Sequence, residues 1–307
     1  MSTGYLTHPA CLTHEMPNDH PDSPARLSAI NDALIEARLM NYLEAYEAPE
    51  VTEEQLERAH SREYIAWVGA HVPDTGYFEV DADTQMNAHT FEAARHAAGA
   101  VVRAVDLVVT GELANAFCAV RPPGHHASWD RAMGFCFFNN IAIGACHALA
   151  AHGLERIAVI DFDAHQGNGT LDIIGRNPRV LFCSSYQHPF YPFSESVDGD
   201  DRVLDLPLPA GSRSSDFRSA VADSWLPRID AFEPELILVS AGFDAHVRDH
   251  MASFALTEDD FAWLTQEIVD LAQSHAGGRV VSALEGGYDL AALGASVTAH
   301  VRVLLGL

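Results

Sequence analysis

Two histidines in succession, His125 and His126, close the run Arg121-Pro122-Pro123-Gly124-His125-His126, directly behind the apolar segment Ala116–Val120. Imidazole titrates closest to neutrality, so a pair at the end of a buried segment is placed for proton transfer. Further along, Ile157–Ile160 runs into Asp161-Phe162-Asp163-Ala164-His165. If the chain leaves that segment extended, Asp161, Asp163 and His165 face one side while Phe162 and Ala164 face the other. Asp163 and His165 can then serve one metal ion, and Asp244 in Ser240-Ala241-Gly242-Phe243-Asp244-Ala245-His246 offers a third ligand. Three ligands leave a coordination position open, as hydrolytic zinc requires. A water bound there is acidified, and His125 or His126 can take its proton. Tyr288, in Glu285-Gly286-Gly287-Tyr288-Asp289, can donate to the oxyanion of a tetrahedral intermediate. No motif alone is specific; their order and common setting point to a metal-dependent amidohydrolase.

The elements that must position these groups alternate along the chain. The apolar runs Ala116–Val120, Ile157–Ile160, Val180–Cys183, Leu236–Ser240 and Val280–Leu284 predict strands. Alanine-rich, helix-periodic stretches near Ser23–Arg38, Ala88–Val109, Asn140–Ala151, Ser215–Ala231, Thr257–Ser274 and Leu290–Leu304 predict helices, with Thr257 as a capping residue. Alternation of this kind implies βαβ units and a mainly parallel sheet, hence an α/β fold. Each predicted strand runs into a polar, glycine or histidine cluster. Because ligands bind beyond the carboxyl ends of parallel strands, clusters spread from residue 121 to residue 288 converge on one rim.

Composition bounds the remaining possibilities. A chain of 307 residues that is 48% hydrophobic can bury one large core, and residues 1–307 are expected to form a single domain. Against 18 basic residues stand 43 acidic ones, a net charge of −25 that repels nucleic acid and anionic membranes and attracts cationic ligands. The five cysteines, at 11, 118, 136, 146 and 183, form no C-x-x-C pair and are expected to be free thiols. The amino terminus has no signal-peptide pattern and no long uncharged apolar stretch occurs, so a soluble cytoplasmic protein is expected.

The motifs taken together resemble those of the zinc-dependent histone deacetylases and acetylpolyamine amidohydrolases. The resemblance is carried by Arg121–Ala127, Gly134-Phe135-Cys136-Phe137-Phe138-Asn139-Asn140, Asp161–Thr170, Ser240–His246 and Glu285–Leu290. Two amino-terminal segments extend it, His20-Pro21-Asp22-Ser23-Pro24-Ala25-Arg26-Leu27 and Asp81-Ala82-Asp83-Thr84. It implies the arginase-deacetylase fold, an eight-stranded parallel sheet flanked by helices, with Zn2+ on Asp163, His165 and Asp244. His126 would be general base and then acid, His125 an electrostatic partner supported by Asp161, and Tyr288 the carbonyl-polarising donor. The Gly134 carbonyl would accept a substrate hydrogen bond, with Phe135 and Tyr191 walling a narrow tunnel for an acetylated amine chain. A structural K+ would lie on Asp161, Asp163, His165, Ser184 and Ser185.

The chain departs from the family pattern at several positions. Gln166 stands where D-x-D-x-H-H-G-N-G-T has its second histidine, and Tyr186 replaces the histidine of S-x-H-Q, which is expected to alter the site's rim or its supporting residues. Asn168 offers the base histidine a neutral amide instead of a carboxylate, as in class II rather than class I deacetylases. Met251 occupies the position of the glutamate gate found in polyamine-selective relatives, and His250 that of a loop proline. No dimer-building loop insertion stands out between Ser61 and Asp81. The resulting expectation is hydrolysis of N-acetyl amides of lysine side chains or small amines, with an acetylpolyamine amidohydrolase as the alternative. A binding module without catalysis is disfavoured by the complete set of ligands, histidines and Tyr288. A two-manganese, arginase-like site would need more carboxylates.

Overall fold

Strands whose residues are apolar on both faces need cover on both faces, and the runs around Ile157, Leu236 and Val280 have it. The computed structural model describes residues 2–17, 19–194 and 200–307. Its strands are β1 (Thr3–Thr7), β2 (Leu43–Glu47), β3 (Phe78–Glu79), β4 (Gln85–Met86), β5 (Asn115–Cys118), β6 (Ile157–Asp161), β7 (Val180–Gln187), β8 (Val203–Leu208), β9 (Leu236–Ala241) and β10 (Val280–Leu284). Its α-helices are α1 (Ala10–Thr13), α2 (Ala25–Glu36), α3 (Glu53–Leu56), α4 (Arg62–Ala70), α5 (Thr90–Val109), α6 (Asn140–Ala151), α7 (Asn168–Ile174), α8 (Ser214–Phe232), α9 (Glu258–His275) and α10 (Leu290–Leu304).

Eight strands form one sheet in the order β2-β1-β5-β10-β9-β6-β7-β8, and every neighbouring pair is parallel. Helices α5, α6 and α7 cover one face, while α2, α10, α9 and α8 cover the other. The α/β expectation and the eight-stranded parallel sheet are both met. All residues of β5, β6, β7, β9 and β10 are buried. The main core joins these strands to the inner faces of both helical layers, and a second cluster fills the space between α4, α5 and α6. The free-cysteine expectation is also met, with Cys11, Cys118, Cys136 and Cys183 buried and Cys146 partly so.

The five predicted strands are present, Val280–Leu284 with the expected bounds and the other four with shifted ends: β5 stops at Cys118, two residues before the expected Val120, and β7 continues to Gln187. Strands β1, β2 and β8 carried no such signal. Thr3-Gly4-Tyr5-Leu6-Thr7 is short and partly polar. The edge strands β2 and β8 are half exposed, and β8 contains Pro207, tolerable only where one side of the strand needs no ladder partner. No described helix is long and apolar enough to cross a membrane.

Candidate active site

The loops that leave the carboxyl ends of β5, β6, β9 and β10 deliver the chemistry to one place. In register, Asp161 at the end of β6 faces Ser184 on β7 and Ser240 on β9, so the segment that follows begins between two paired strands. From there Phe162 and Ala164 enter the core, while Asp161, Asp163 and His165 turn to the opposite side. Asp163, His165 and Asp244 are buried, and their donor atoms lie within 4.8 Å of one another. The Nδ1 of His165 stands 3.1 Å from Asp163 Oδ1 and 2.9 Å from Asp244 Oδ2. Glycine is required around them: a Cβ on Gly286 would lie 2.5 Å from both Asp163 Oδ2 and Asp244 Oδ2, and one on Gly242 would collide with the Asp163 carboxylate. The main chain instead comes in close enough for the Gly286 N–H to donate to Asp163 Oδ2 at 2.8 Å.

The electrostatics of this trio suit a cation. Burial would raise the Asp163 carboxyl, but His125 and His165 hold it well below its usual range, whereas burial and the Asp163 charge push Asp244 up to about 7. His165 is pulled to about 10 because the two carboxylates outweigh its own burial. Two buried carboxylates around one imidazole nitrogen thus form a strongly negative pocket, which a divalent cation can neutralise in place of that proton. Asp, His and Asp with hard and borderline donors fit zinc and its neighbours.

The paired histidines have different surroundings. His125 Nδ1 donates to Asp161 Oδ2 at 3.0 Å; burial alone would lower its pKa, but Asp161 and Asp163 raise it to about 10, so the ring is cationic near neutrality. His126 Nδ1 donates to Asn168 Oδ1 at 2.7 Å, which leaves Nε2 as the basic nitrogen. Burial, together with His125 and His165, holds His126 well below its usual value, so it is neutral. The amide contact expected for Asn168 is therefore present.

His126, Gly134, Phe135, His165, Tyr191, Met251 and Tyr288 meet around one cavity of about 220 Å³, which Asp83 and Phe190 complete. The rings of Phe135 and Tyr288 meet edge to face with centroids 6.0 Å apart, and Tyr191 stands perpendicular to His126 at 5.3 Å. Gly134 has φ +56°, and its carbonyl accepts the Cys136 thiol at 3.2 Å. Tyr288 is fixed on two sides. Its N–H donates to Asp249 Oδ2 at 2.6 Å, and the Arg26 guanidinium lies over its ring at 4.8 Å. Burial, opposed by Arg26, keeps its hydroxyl protonated far beyond neutral pH.

Arg26 also donates to the carbonyls of Gly287 and Glu285, and Asp22 accepts from both Arg26 (2.7 Å) and Arg121 (2.7 and 2.9 Å). This buried network ties the amino-terminal motif to the two loops that carry the histidines and Tyr288. Sequence reasoning did not single out Phe190, Asp249 or the structural part played by Glu285, whose carboxylate accepts the N–H groups of Gly124 and His125 at 2.7 and 3.1 Å. The Glu285 signal was available, as an acid buried at the end of an apolar strand; Phe190 and Asp249 carry none.

Among the departures, Met251 lines the cavity and His250 is exposed. Tyr186 is not at the rim. It is buried and turned toward β8, as is Gln166. A second group of similar side chains lies on α5, on α6 and at the residue that caps α6, where the Nε2 atoms of His147 and His152 both stand 2.7 Å from Asp106 Oδ1. Arg58 donates to His147 Nδ1 at 2.7 Å, so the His147 proton must reside on Nε2 and be given to Asp106. Both ring nitrogens of His147 are thereby engaged.

Comparison with known proteins gives the family. The histone deacetylase domain family matches residues 20–304. The histone deacetylase-like amidohydrolase of Pseudomonas aeruginosa is 38% identical over 93% of the chain and 75% of its own length. Human polyamine deacetylase HDAC10 is 39% identical over the whole chain, which spans 48% of it. The crystal structure of the HDA15 HD domain superposes with a TM-score of 0.93 at 34% identity, covering 99% of this chain and 90% of that one. The chain is a hydrolytic deacetylase and belongs to the histone deacetylase family.

Proposed function

We propose that residues 1–307 form one zinc-dependent catalytic unit that hydrolyses N-acetyl amides of lysine side chains or small primary amines. The observation that carries this reading is the meeting, at one slim cavity, of His165, which is grouped with Asp163 and Asp244, with a neutral His126 and a protonated Tyr288. A zinc ion on that trio would acidify a water and polarise the acetyl carbonyl. His126 takes the proton of the attacking water on Nε2, with Asn168 holding the ring, and then returns it to the leaving amine. His125, cationic through Asp161, favours the negative charge that builds up beside it. Tyr288 donates its hydroxyl proton to the developing oxyanion, with Arg26 and Asp249 fixing its position. Phe135, Tyr191 and Phe190 suit the aliphatic chain of the amine, and the Gly134 carbonyl its N–H. A structural K+ on Asp161, Asp163, His165, Ser184 and Ser185 belongs to the same proposal, supported by their common burial and the pairing of Asp161 with Ser184.

One observation favours a polyamine substrate: the Asp83 carboxylate stands in the cavity wall, where it could meet a second ammonium group. The apolar Met251 in the same wall favours acetyl-lysine. The test is acetate release by the zinc-loaded protein from an acetyl-lysine peptide and from N-acetylputrescine, compared by kcat/KM. Preference for the peptide supports the first reading and preference for the small amine the second; release from neither overturns both.

A further inference from the structure

Two of the chain's departures from the family pattern, Gln166 and Tyr186, are twenty residues apart in sequence yet reach the same oxygen atom. Gln166 directly follows His165, and its side chain, 1% exposed, donates through Nε2 to Asp205 Oδ2 at 3.2 Å. Tyr186 directly follows Ser185 on β7 and is 2% exposed; its hydroxyl donates to the same Oδ2 at 3.2 Å. Asp205 lies on the edge strand β8, opposite Ser184 in the β7–β8 register. The other end of the Gln166 amide, Oε1, is buried with no hydrogen-bond partner, so Asp205 is what holds this side chain among the described residues. The amide cannot be turned over without aiming oxygen at carboxylate.

The main chain of Gln166 links the two halves of the site. Its carbonyl accepts the Asn168 N–H at 2.8 Å, and Asn168 in turn holds His126. Its nitrogen is bonded to His165. A glutamine side chain has three rotatable bonds and by itself restrains little, whereas a buried tyrosine is rigid. A carboxylate held by such a phenol can hold the glutamine in turn.

We infer that Asp205 is a positioning residue, clamped by Tyr186 and clamping Gln166, that sets the His165 ligand and the Asn168 support of His126 from behind. On this account Gln166 and Tyr186 are one interdependent feature rather than two separate substitutions. The inference rests on the reading of Asp163, His165 and Asp244 as metal ligands.

The test is a cycle of Gln166→Met, which is nearly isosteric but has no donor, and Tyr186→Phe, made in the full chain. The zinc dissociation constant is read by competition with a chromophoric chelator, and folding by circular dichroism. Loss of a residue that orients a metal ligand weakens binding by about tenfold or more. Gln166→Met is expected to show that loss. Tyr186→Phe should weaken zinc at least threefold in the wild-type background and not in the Gln166→Met background. Gln166→His, which keeps an N–H donor, should stay within threefold of wild type. Equal effects of Tyr186→Phe in both backgrounds, or none in either, overturn the inference; should Gln166→Met fail to fold, unchanged zinc affinity in Tyr186→Phe overturns it alone. A wild-type chain that binds no zinc sinks the inference together with the metal reading. One that binds zinc without releasing acetate sinks the proposed reaction and leaves the clamp to be scored by affinity.

Discussion

The loops beyond β6 and β9 and the helix pair α5–α6 each gather histidine and aspartate, with opposite results. At the strand ends two carboxylates surround one imidazole nitrogen, all three groups are buried, and the approaching main chain at Gly242 and Gly286 carries no Cβ to crowd them. On the helix pair and the residue that caps α6, two imidazoles surround one carboxylate oxygen, and Arg58 donates to one of them. Residue type is nearly the same; charge balance and proton occupancy differ. A pocket of two carboxylates whose imidazole proton a divalent cation can displace suits such an ion, whereas a carboxylate oxygen already accepting from two imidazoles beside a guanidinium suits one less well.

The largest effect should separate the two groups outright. Asp163→Ala or Asp244→Ala should abolish both metal content and acetate release, whereas Asp106→Ala should leave bound zinc per chain and kcat unchanged; metal analysis and an acetate assay on the same preparations check this. If Asp106→Ala removed half of the bound zinc, the contrast would be broken. Within the strand-end group, His126→Ala should retain zinc and lose roughly 10²–10⁴-fold in turnover, and full activity would move the base to His125. Tyr288→Phe should also retain zinc and lower kcat by about 10²–10³-fold, with KM for the acetylated substrate little changed.

Smaller effects belong to stability. Asp106→Ala removes the acceptor of two histidines and should lower the unfolding free energy by about 1–3 kcal/mol, read from urea denaturation. His300 extends the comparison to a histidine with no part in the site. Its Nδ1 donates to Thr265 Oγ1 at 2.7 Å, its Nε2 accepts from Ser282 Oγ at 2.9 Å, and burial lowers its pKa to about 3. The unfolded chain protonates this residue near 6.5 and the folded chain does not. Its contribution is therefore full above about pH 6.5 and falls as the pH drops toward 3. His300→Gln should flatten the acid limb of stability against pH by close to one proton; an unchanged slope would mean the ring is protonated in the fold.

The legible parts of this molecule share one property: each is written in a short run of adjacent residues. Ile157–Ile160 reads as a buried strand because it is apolar at every position, and Asp163 with His165 reads as a ligand pair because extended chain puts alternate residues on one side. Asn168 could be assigned to His126 through its place in a motif. The edge strands β2 and β8 were not legible, since half-exposed strands with mixed residues lack both the period and the apolar run that mark a strand. Phe190 and Asp249 were missed for a related reason, because an aromatic or an acid in a loop acquires a role only from what it faces.

By itself, then, the sequence determined the α/β alternation, the five strand-end clusters and the residue types proposed to bind a cation, move a proton and donate to an oxyanion. The tertiary structure decided the rest: that Asp163 and Asp244 share one nitrogen of His165, that Asp249 and Arg26 fix Tyr288, that His147 and His152 meet on one oxygen of Asp106, and that Gln166 and Tyr186 meet on Asp205. Local propensity is encoded over a few residues. Electrostatic field, burial and shared hydrogen-bond acceptors are sums over neighbours from distant segments, and these exist only once the sheet has brought those segments together.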